Sequence, residues 1–88
     1  MASEAEATRL KRLLYRARHR GTKEMDWLLG RYADARLAEM TAAEVDLFEA
    51  LCALPDPDVQ DWILAAGAVI EPAYEALVAE LRRFHGLG

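Results

Sequence analysis

The sequence predicts an all-α fold, a compact five-helix bundle in which residues 1–88 form a single domain. Apolar residues make up 53% of the chain, and Ala and Leu, which favour helices, supply much of that share. Five segments repeat their apolar residues at the spacing of one helix face. No segment alternates with the period of two that is typical of a β-strand, so we expect no sheet.

The first two helices are expected on either side of a glycine. Helix one is predicted over Glu4–Arg18, and Ser3 and Glu6 have the spacing of a capping box at its start. Helix two is predicted to begin near Thr22. Glycine inside a helix costs about 1 kcal/mol relative to alanine, so Gly30 predicts a close crossing with another helix. The predicted buried faces are Leu10, Leu13, Leu14 and Ala17 in helix one and Met25, Leu28, Leu29 and Tyr32 in helix two.

Capping signals also mark the starts of helices three and four. Thr41 and Glu44 form a second capping box, and the helix they open is expected to end before Pro55. Asp56 is expected to cap a fourth helix whose first residue is Pro57. The predicted buried faces are Val45, Phe48, Leu51 and Cys52 in helix three and Val59, Trp62, Ile63 and Ala66 in helix four.

Glycine and proline delimit the rest of the chain. Gly67 is expected to terminate helix four, and helix five is expected to start at Pro72 and end at Gly86. The residues that helix five is predicted to bury are Tyr74, Leu77, Val78, Leu81 and Phe84. The basic residues at its end, which suit the negative end of the helix dipole, are Arg82, Arg83 and His85.

Charge is distributed unevenly along a chain whose net charge is −4. Residues 34–80 carry many carboxylates and only one basic residue, Arg36. Residues 9–23 carry no acidic residue, and their basic residues are Arg9, Lys11, Arg12, Arg16, Arg18, Arg20 and Lys23. The pattern fits a solvated basic helix lying against an acidic body, or electrostatic steering toward an acidic partner surface.

Several classes of protein are disfavoured. No apolar run approaches the ~20 residues of a transmembrane helix, so we expect no membrane insertion. The acidic N-terminus is unlike a targeting segment, so the protein is expected to act where it is made or after loss of a presequence. Cys52, the single cysteine, is interpreted as a buried small hydrophobic residue. A chain with one cysteine forms no internal disulfide, which fits a reducing cytoplasm. No residues have the spacing of metal ligands or of a catalytic constellation.

The segment between helices one and two carries the most informative pattern. Arg20-Gly21-x-x-Glu24, followed by Asp26, places a glycine between a basic run and the first turn of a helix. Gly21 can adopt a positive φ and lets another backbone come close. A local Arg20–Glu24 salt bridge would explain the two charges without a partner, and such an exposed pair contributes only about 0–1 kcal/mol.

This pattern resembles the RGxxE signature of the SdhE family, small factors that help insert covalent FAD into the flavoprotein subunit of succinate dehydrogenase. The resemblance runs roughly from residue 13 to residue 67, and its features fall in the family's order. Besides the motif, these features are Leu28-Leu29-Gly30-Arg31-Tyr32, Thr41-Ala42-Ala43-Glu44, and Asp56-Pro57-Asp58 followed by Trp62 and Gly67. The fold that the resemblance implies is also a five-helix bundle.

The resemblance implies an assembly factor rather than an enzyme. It implies a transient complex with the flavoprotein subunit of succinate dehydrogenase, and it leaves open whether the related subunit of fumarate reductase is also a target. FAD becomes linked to a histidine of that subunit, so the flavin is held by the partner, and this chain is expected to bind no cofactor stably. The free protein is expected to be a monomer.

The resemblance also implies where the partner binds. The expected partner-binding residues are Arg20, Gly21, Glu24, Asp26, His19, Arg16 and Tyr15. The first three carry the motif, and the last three are assigned to the rim by proximity. Asp26 could either contact the partner or cap helix two, and the pattern leaves both roles open. For Trp27, partner contact and burial against helix one are both open, while Asp56 and its neighbours are interpreted as helix capping.

The residues also bear on three other possible functions. A nucleic-acid-binding module could use the basic first helix, but the net charge is negative and no helix-turn-helix spacing is evident, so we expect no nucleic acid. A small hydrolase or redox enzyme is opposed by the lack of a catalytic constellation. Gly21-Thr22-Lys23 at a helix N-terminus could hold a phosphate. No strand or Gly-x-Gly-x-x-Gly segment accompanies it, which argues against stable FAD binding.

Overall fold

The computed structural model describes residues 3–88, and these residues contain no β-strand. The α-helices are α1 (Glu4–Arg18), α2 (Lys23–Arg36), α3 (Ala42–Cys52), α4 (Asp56–Leu64) and α5 (Glu75–Phe84). Two short 3-10 helices, Leu37–Glu39 and Pro72–Tyr74, follow α2 and precede α5. The predicted all-α class and the number of helices are confirmed. None of the described helices combines the length and the apolar content that a membrane span requires.

One hydrophobic core draws side chains from all five helices, and α2 contacts both α1 and α5. The buried residues are Leu13, Ala17, Met25, Leu28, Leu29, Tyr32, Ala33, Leu37, Val45, Phe48, Leu51, Cys52, Val59, Ile63, Leu77, Val78 and Leu81. Five other predicted core residues are only partly buried, namely Leu10, Leu14, Trp62, Tyr74 and Phe84. Full burial of one large apolar side chain stabilises a fold by about 1.5–3 kcal/mol, so this core is the main source of the bundle's stability.

Local capping chemistry is complete at α3 and half complete at α1. The Thr41 hydroxyl accepts from the Glu44 amide at 3.2 Å, and the Glu44 carboxylate accepts from the Thr41 amide at 2.9 Å. The bond from the backbone amide also lowers the pKa of Glu44. At α1 the Ser3 hydroxyl accepts from the Glu6 amide at 3.1 Å, but within the described chain the return bond from Glu6 is not formed.

The start of α4 corrects the sequence-based prediction. The helix begins at Asp56, with Pro55 as its N-cap, so Pro57 is its second residue and not its first. No side chain caps this helix terminus. The Asp56 carboxylate, predicted to be the cap, instead accepts hydrogen bonds from Arg20, because a guanidinium is a stronger donor than a backbone amide.

The end of α4 also differs from the prediction. The helix stops at Leu64, before Gly67, and Ala66 is exposed rather than buried. Arg82 of α5 donates a hydrogen bond to the carbonyl of Ile63 in the last turn. A carbonyl at a helix end needs a partner from outside the helix, so this tertiary contact helps terminate α4 where it does.

The last helix starts later than predicted. Pro72–Tyr74 form a 3-10 turn, and regular α-helix begins only at Glu75. The helix ends at Phe84, and Gly86 just beyond it has a φ of 72°. His85 caps the end of α5, and its Nε2 lies 2.8 Å from the Leu28 carbonyl of α2, to which it donates. The end of α5 is therefore fastened to the centre of the bundle.

Candidate functional site

Loop 19–22 joins α1 to α2 and carries the first half of the RGxxE pattern. The His19 amide donates to the Tyr15 carbonyl at 3.0 Å and closes α1, while the Thr22 hydroxyl accepts from the Met25 amide at 3.3 Å and opens α2. Between them Gly21 has a φ of 109°, a conformation that residues with a side chain rarely adopt. The predicted helix break at this glycine is confirmed.

Asp26 holds the backbone of this loop from within α2. One oxygen of the Asp26 carboxylate accepts hydrogen bonds from two backbone amides, those of Arg20 and Gly21. The bond from the Gly21 amide is 3.3 Å long. Two amides that would otherwise face solvent at a helix junction are thereby satisfied. Of the two roles open for Asp26, capping of helix two is wrong, since Thr22 caps α2 and the Asp26 side chain binds loop 19–22 instead. Contact of Asp26 with the partner stays a prediction.

Arg20 reaches across the molecule to α4. Its Nε and Nη2 atoms donate to one oxygen of Asp56 at 3.1 and 2.7 Å. The Arg20 side chain is only 10% exposed and that of Asp56 23%. The local Arg20–Glu24 salt bridge that the sequence allows is not formed, since Arg20 is paired with Asp56, 36 positions away.

The remaining predicted site residues lie on the surface around the loop. Glu24 is exposed in the first turn of α2, and its carboxylate makes no ion pair with any residue from 3 to 88. Tyr15 is 64% exposed, and its ring centroid lies 4.1 Å from that of His19. We call the exposed group the contact surface; it consists of Tyr15, Arg16, His19, Gly21 and Glu24.

The basic run is divided by the fold into paired and free residues. Arg9 bonds Asp46 at 2.7 Å and Glu49 at 3.0 Å, and these carboxylates raise the pKa of the Arg9 guanidinium. Arg18 pairs with Asp34. Among the described residues, the basic side chains of this run without an ion pair are Lys11, Arg12, Arg16 and Lys23. The interpretation of α1 as a basic helix lying against an acidic body is confirmed for Arg9 and Arg18, while steering toward an acidic partner stays a prediction.

One open groove accompanies the free basic residues. It has a volume of about 640 Å³ and runs beside α1, where Arg12 and Arg16 line it together with Glu49 of α3. The groove is wide open to solvent and does not enclose a small molecule.

Cys52 is buried at the end of α3, as predicted. Burial raises the pKa of its thiol to about 11, against the smaller opposing effect of the positive charges of Arg20 and Arg16. The thiol is therefore neutral near pH 7 and unsuited to nucleophilic attack. Within residues 3–88, no three His, Cys, Asp or Glu side chains are grouped so that they could hold a metal ion.

Two further contacts were not predicted from the sequence. The Tyr32 hydroxyl donates to the Glu80 carboxylate of α5, and burial together with this bond raises the pKa of Tyr32. Trp27, 46% exposed, lies against His85 with ring centroids 4.3 Å apart. Neither interpretation offered for Trp27 included this contact with the end of α5. No local signal marks either pair, since the partners come from distant parts of the chain.

A known protein family matches most of this chain. A family profile described as "flavinator of succinate dehydrogenase" matches residues 11–85, from the second turn of α1 to the end of α5. The chain belongs to this family. The resemblance identified from the motif order is thereby confirmed. No solved structure gave a significant match.

Individual members of the family agree with the profile. The chain is 41% identical over 63 residues to the FAD assembly factor SdhE of Acetobacter pasteurianus, covering 72% of this chain and 58% of the relative. It is 37% identical over 83 residues to the mitochondrial succinate dehydrogenase assembly factor 2 of Dictyostelium discoideum, covering 94% and 57%. The chain thus spans little more than half the length of these two relatives. With the FAD assembly factor SdhE of Acinetobacter baylyi it shares 32% identity over 77 residues, covering 86% and 89%.

Proposed function

We propose that this protein is an assembly factor that binds the flavoprotein subunit of succinate dehydrogenase and promotes the covalent attachment of FAD to a histidine of that subunit. The family profile match over residues 11–85 carries the proposal, because it takes in the whole loop 19–22 and parts of all five helices. Relatives from different organisms are named for FAD assembly or for succinate dehydrogenase assembly.

The flavoprotein subunit binds the contact surface around loop 19–22. Glu24 has an unpaired carboxylate, Gly21 has no side chain to keep a partner's backbone away, and Tyr15 offers an exposed ring. Aromatic residues and charged groups able to form hydrogen bonds across a contact are typical of protein interfaces. The free positive charge of Arg12, Arg16 and Lys23 favours an acidic surface on the partner and speeds encounter.

The protein acts by positioning and is not itself an enzyme. The lone thiol, Cys52, is buried and protonated near pH 7, so it provides no nucleophile. Bond formation is left to the flavin and the subunit's histidine. By binding one conformation of the subunit more tightly than others, the factor raises the population in which flavin and histidine are aligned.

FAD stays with the partner throughout. Three amides around the start of α2 are already used, since those of Arg20 and Gly21 bond to Asp26 and that of Met25 bonds to the Thr22 hydroxyl. A phosphate placed there would compete with a carboxylate fixed in the same chain. We therefore propose that the chain binds no cofactor stably.

The proposal also covers the oligomeric state of the protein, its location and its other possible partners. The free protein is a monomer, since its predicted apolar helix faces are used in its own core. It acts in the cytoplasm, as expected from relatives in two bacteria. It binds no nucleic acid, because three of its seven N-terminal basic residues are paired internally. The flavoprotein subunit of fumarate reductase is a second target to be tested beside the first.

The test is a gene deletion with covalent flavin as the readout. In the deletion strain, in-gel fluorescence of the succinate dehydrogenase flavoprotein subunit should fall while immunoblots show that the polypeptide is still made. Expression of the wild-type chain should restore fluorescence. Normal covalent flavin in the deletion strain, at wild-type subunit levels, contradicts the proposal. The fumarate reductase subunit can be scored on the same gels.

A further inference from the structure

The ion pair between Arg20 and Asp56 differs from the other ion pairs of the described chain in its burial. Its side chains are 10% and 23% exposed, whereas those of the Arg9 and Arg18 pairs are 38–68% exposed. Water and salt screen exposed pairs strongly and partly buried pairs much less. A buried charge that loses its partner is also costly, so this pair resists being opened.

Residue 20 is held from two directions. Its guanidinium is bound to the first residue of α4, and its backbone amide is bound to Asp26 of α2. Gly21 follows immediately, with its positive φ and its amide on the same Asp26 oxygen. Two carboxylates therefore hold the chain at Arg20 and Gly21, immediately before Thr22 opens α2, and neither carboxylate belongs to the contact surface.

We propose that Asp56 is a positioning residue for flavoprotein binding, and that Arg20 serves the site through Asp56 rather than by touching the partner. The pair locks loop 19–22 onto α4, so that Gly21 and Glu24 are presented in a binding-ready arrangement. A preformed arrangement avoids the entropic cost of ordering the loop when the complex forms. This inference rests on the proposed function. It removes Arg20 from the predicted contact residues and gives Asp56 a role beyond helix capping.

A double-mutant cycle on partner affinity tests the inference. The variants are Arg20→Ala, Asp56→Ala and the double variant, each measured for binding to the purified flavoprotein subunit below its melting temperature. If the two residues act as one unit, each single change should weaken binding by a similar factor, about tenfold, and the double variant should bind no more weakly than either. If Arg20→Ala weakens binding while Asp56→Ala binds like wild type, or if the losses multiply, the guanidinium touches the partner and the inference is overturned.

Two further variants complete this experiment: one is a control, and the other replaces Asp56→Ala if that variant does not fold. Asp58→Ala removes an exposed carboxylate from the same turn of α4, so it should bind like wild type. If the alanine variant at position 56 does not fold, Asp56→Asn takes its place, because it keeps the shape of the side chain and removes only its charge.

Amide hydrogen exchange in the free protein separates failure of this inference from failure of the proposed function. Asp56→Asn should speed exchange at Arg20 and Gly21 while core amides of α2, such as that of Leu29, exchange as in wild type. Unchanged exchange at both loop amides overturns the inference even if the flavoprotein binds normally. If the wild-type chain does not bind the subunit at all, the proposed function fails, and the exchange result alone decides whether Asp56 positions the loop.

Discussion

A Cβ atom placed on Gly30 of α2 would lie 3.2 Å from the Cα of Arg18 in α1. Its next neighbour would be the carbonyl oxygen of Ala17 at 3.4 Å. Both neighbours are backbone atoms, which cannot swing aside as a flexible side chain can. A side chain at this crossing would therefore press on the backbone of α1 in the helix hairpin that presents loop 19–22.

Gly30→Ala is expected to lower the stability of the bundle. Alanine gains about 1 kcal/mol in helix propensity, but crowding in a packed interface costs about 1–3 kcal/mol, so we expect a net loss of about 1 kcal/mol. Urea denaturation of both proteins measures the difference. Ala35→Gly, at an exposed position of the same helix, is the control for propensity alone. A more stable Gly30→Ala protein would show that the crossing has room for a methyl group.

Gly21→Ala is expected to destabilise the protein for a different reason. No atom outside the adjacent residues lies within 4 Å of a Cβ at this position, so the cost comes from the φ of 109° alone. A non-glycine residue in such a conformation costs about 1–3 kcal/mol. The melting temperature should fall by about 4–8 °C for each kcal/mol in a domain of this size.

D-alanine at position 21 provides a matched control, and an 88-residue chain is accessible to chemical synthesis. A D-residue favours positive φ, so the D-alanine protein should melt at or above the wild-type temperature. If the L- and D-alanine proteins melt together, the loop does not depend on the backbone conformation of Gly21.

Glu24→Ala is expected to separate binding from folding. Glu24 is exposed near the positive end of the α2 dipole, so its loss should cost under roughly 1 kcal/mol of stability. Affinity for the flavoprotein subunit should fall more than tenfold, as expected when a charged hydrogen-bonding group is removed from a contact. Melting temperature and affinity should be measured on the same samples. Glu75→Ala, in the first turn of α5, is the control, and equal affinities for the two variants would remove Glu24 from the contact surface.

We expect the protein to lose stability at high pH because of the buried thiol of Cys52. Its pKa in the folded protein is raised by burial from the ordinary value of 9.0 to about 11. The stabilising contribution of the neutral thiol is therefore complete below pH 9 and declines as the pH rises toward 11. The difference in unfolding free energy between wild type and Cys52→Ala should narrow by about 1.4 kcal/mol per pH unit in that window. Denaturation curves at pH 8 and pH 10.5 measure it; a constant difference would mean that the thiol titrates normally.

The helices could be predicted because their signals are local. Thr41 and Glu44 lie within one helical turn of each other, so the sequence alone determines the capping box that starts α3. Gly30 could be predicted as a crossing point because glycine is unfavourable in a helix without a compensating contact. The ends of α4 could not be predicted in this way, since Arg82 and Arg20 come from other parts of the chain.

The sequence by itself determined the helical class, the helix break at Gly21 and the family. Only the tertiary structure decided the surroundings of the two charged residues of the motif: Glu24 is exposed, whereas Arg20 is bound to Asp56. The physical reason is the range of the interactions. Helix periodicity and capping act over three or four residues, whereas the partner of a charged side chain is whichever opposite charge the packed core brings within about 3 Å. For Arg20 that charge lies 36 residues away, on a helix whose position is set by burial of Val59 and Ile63.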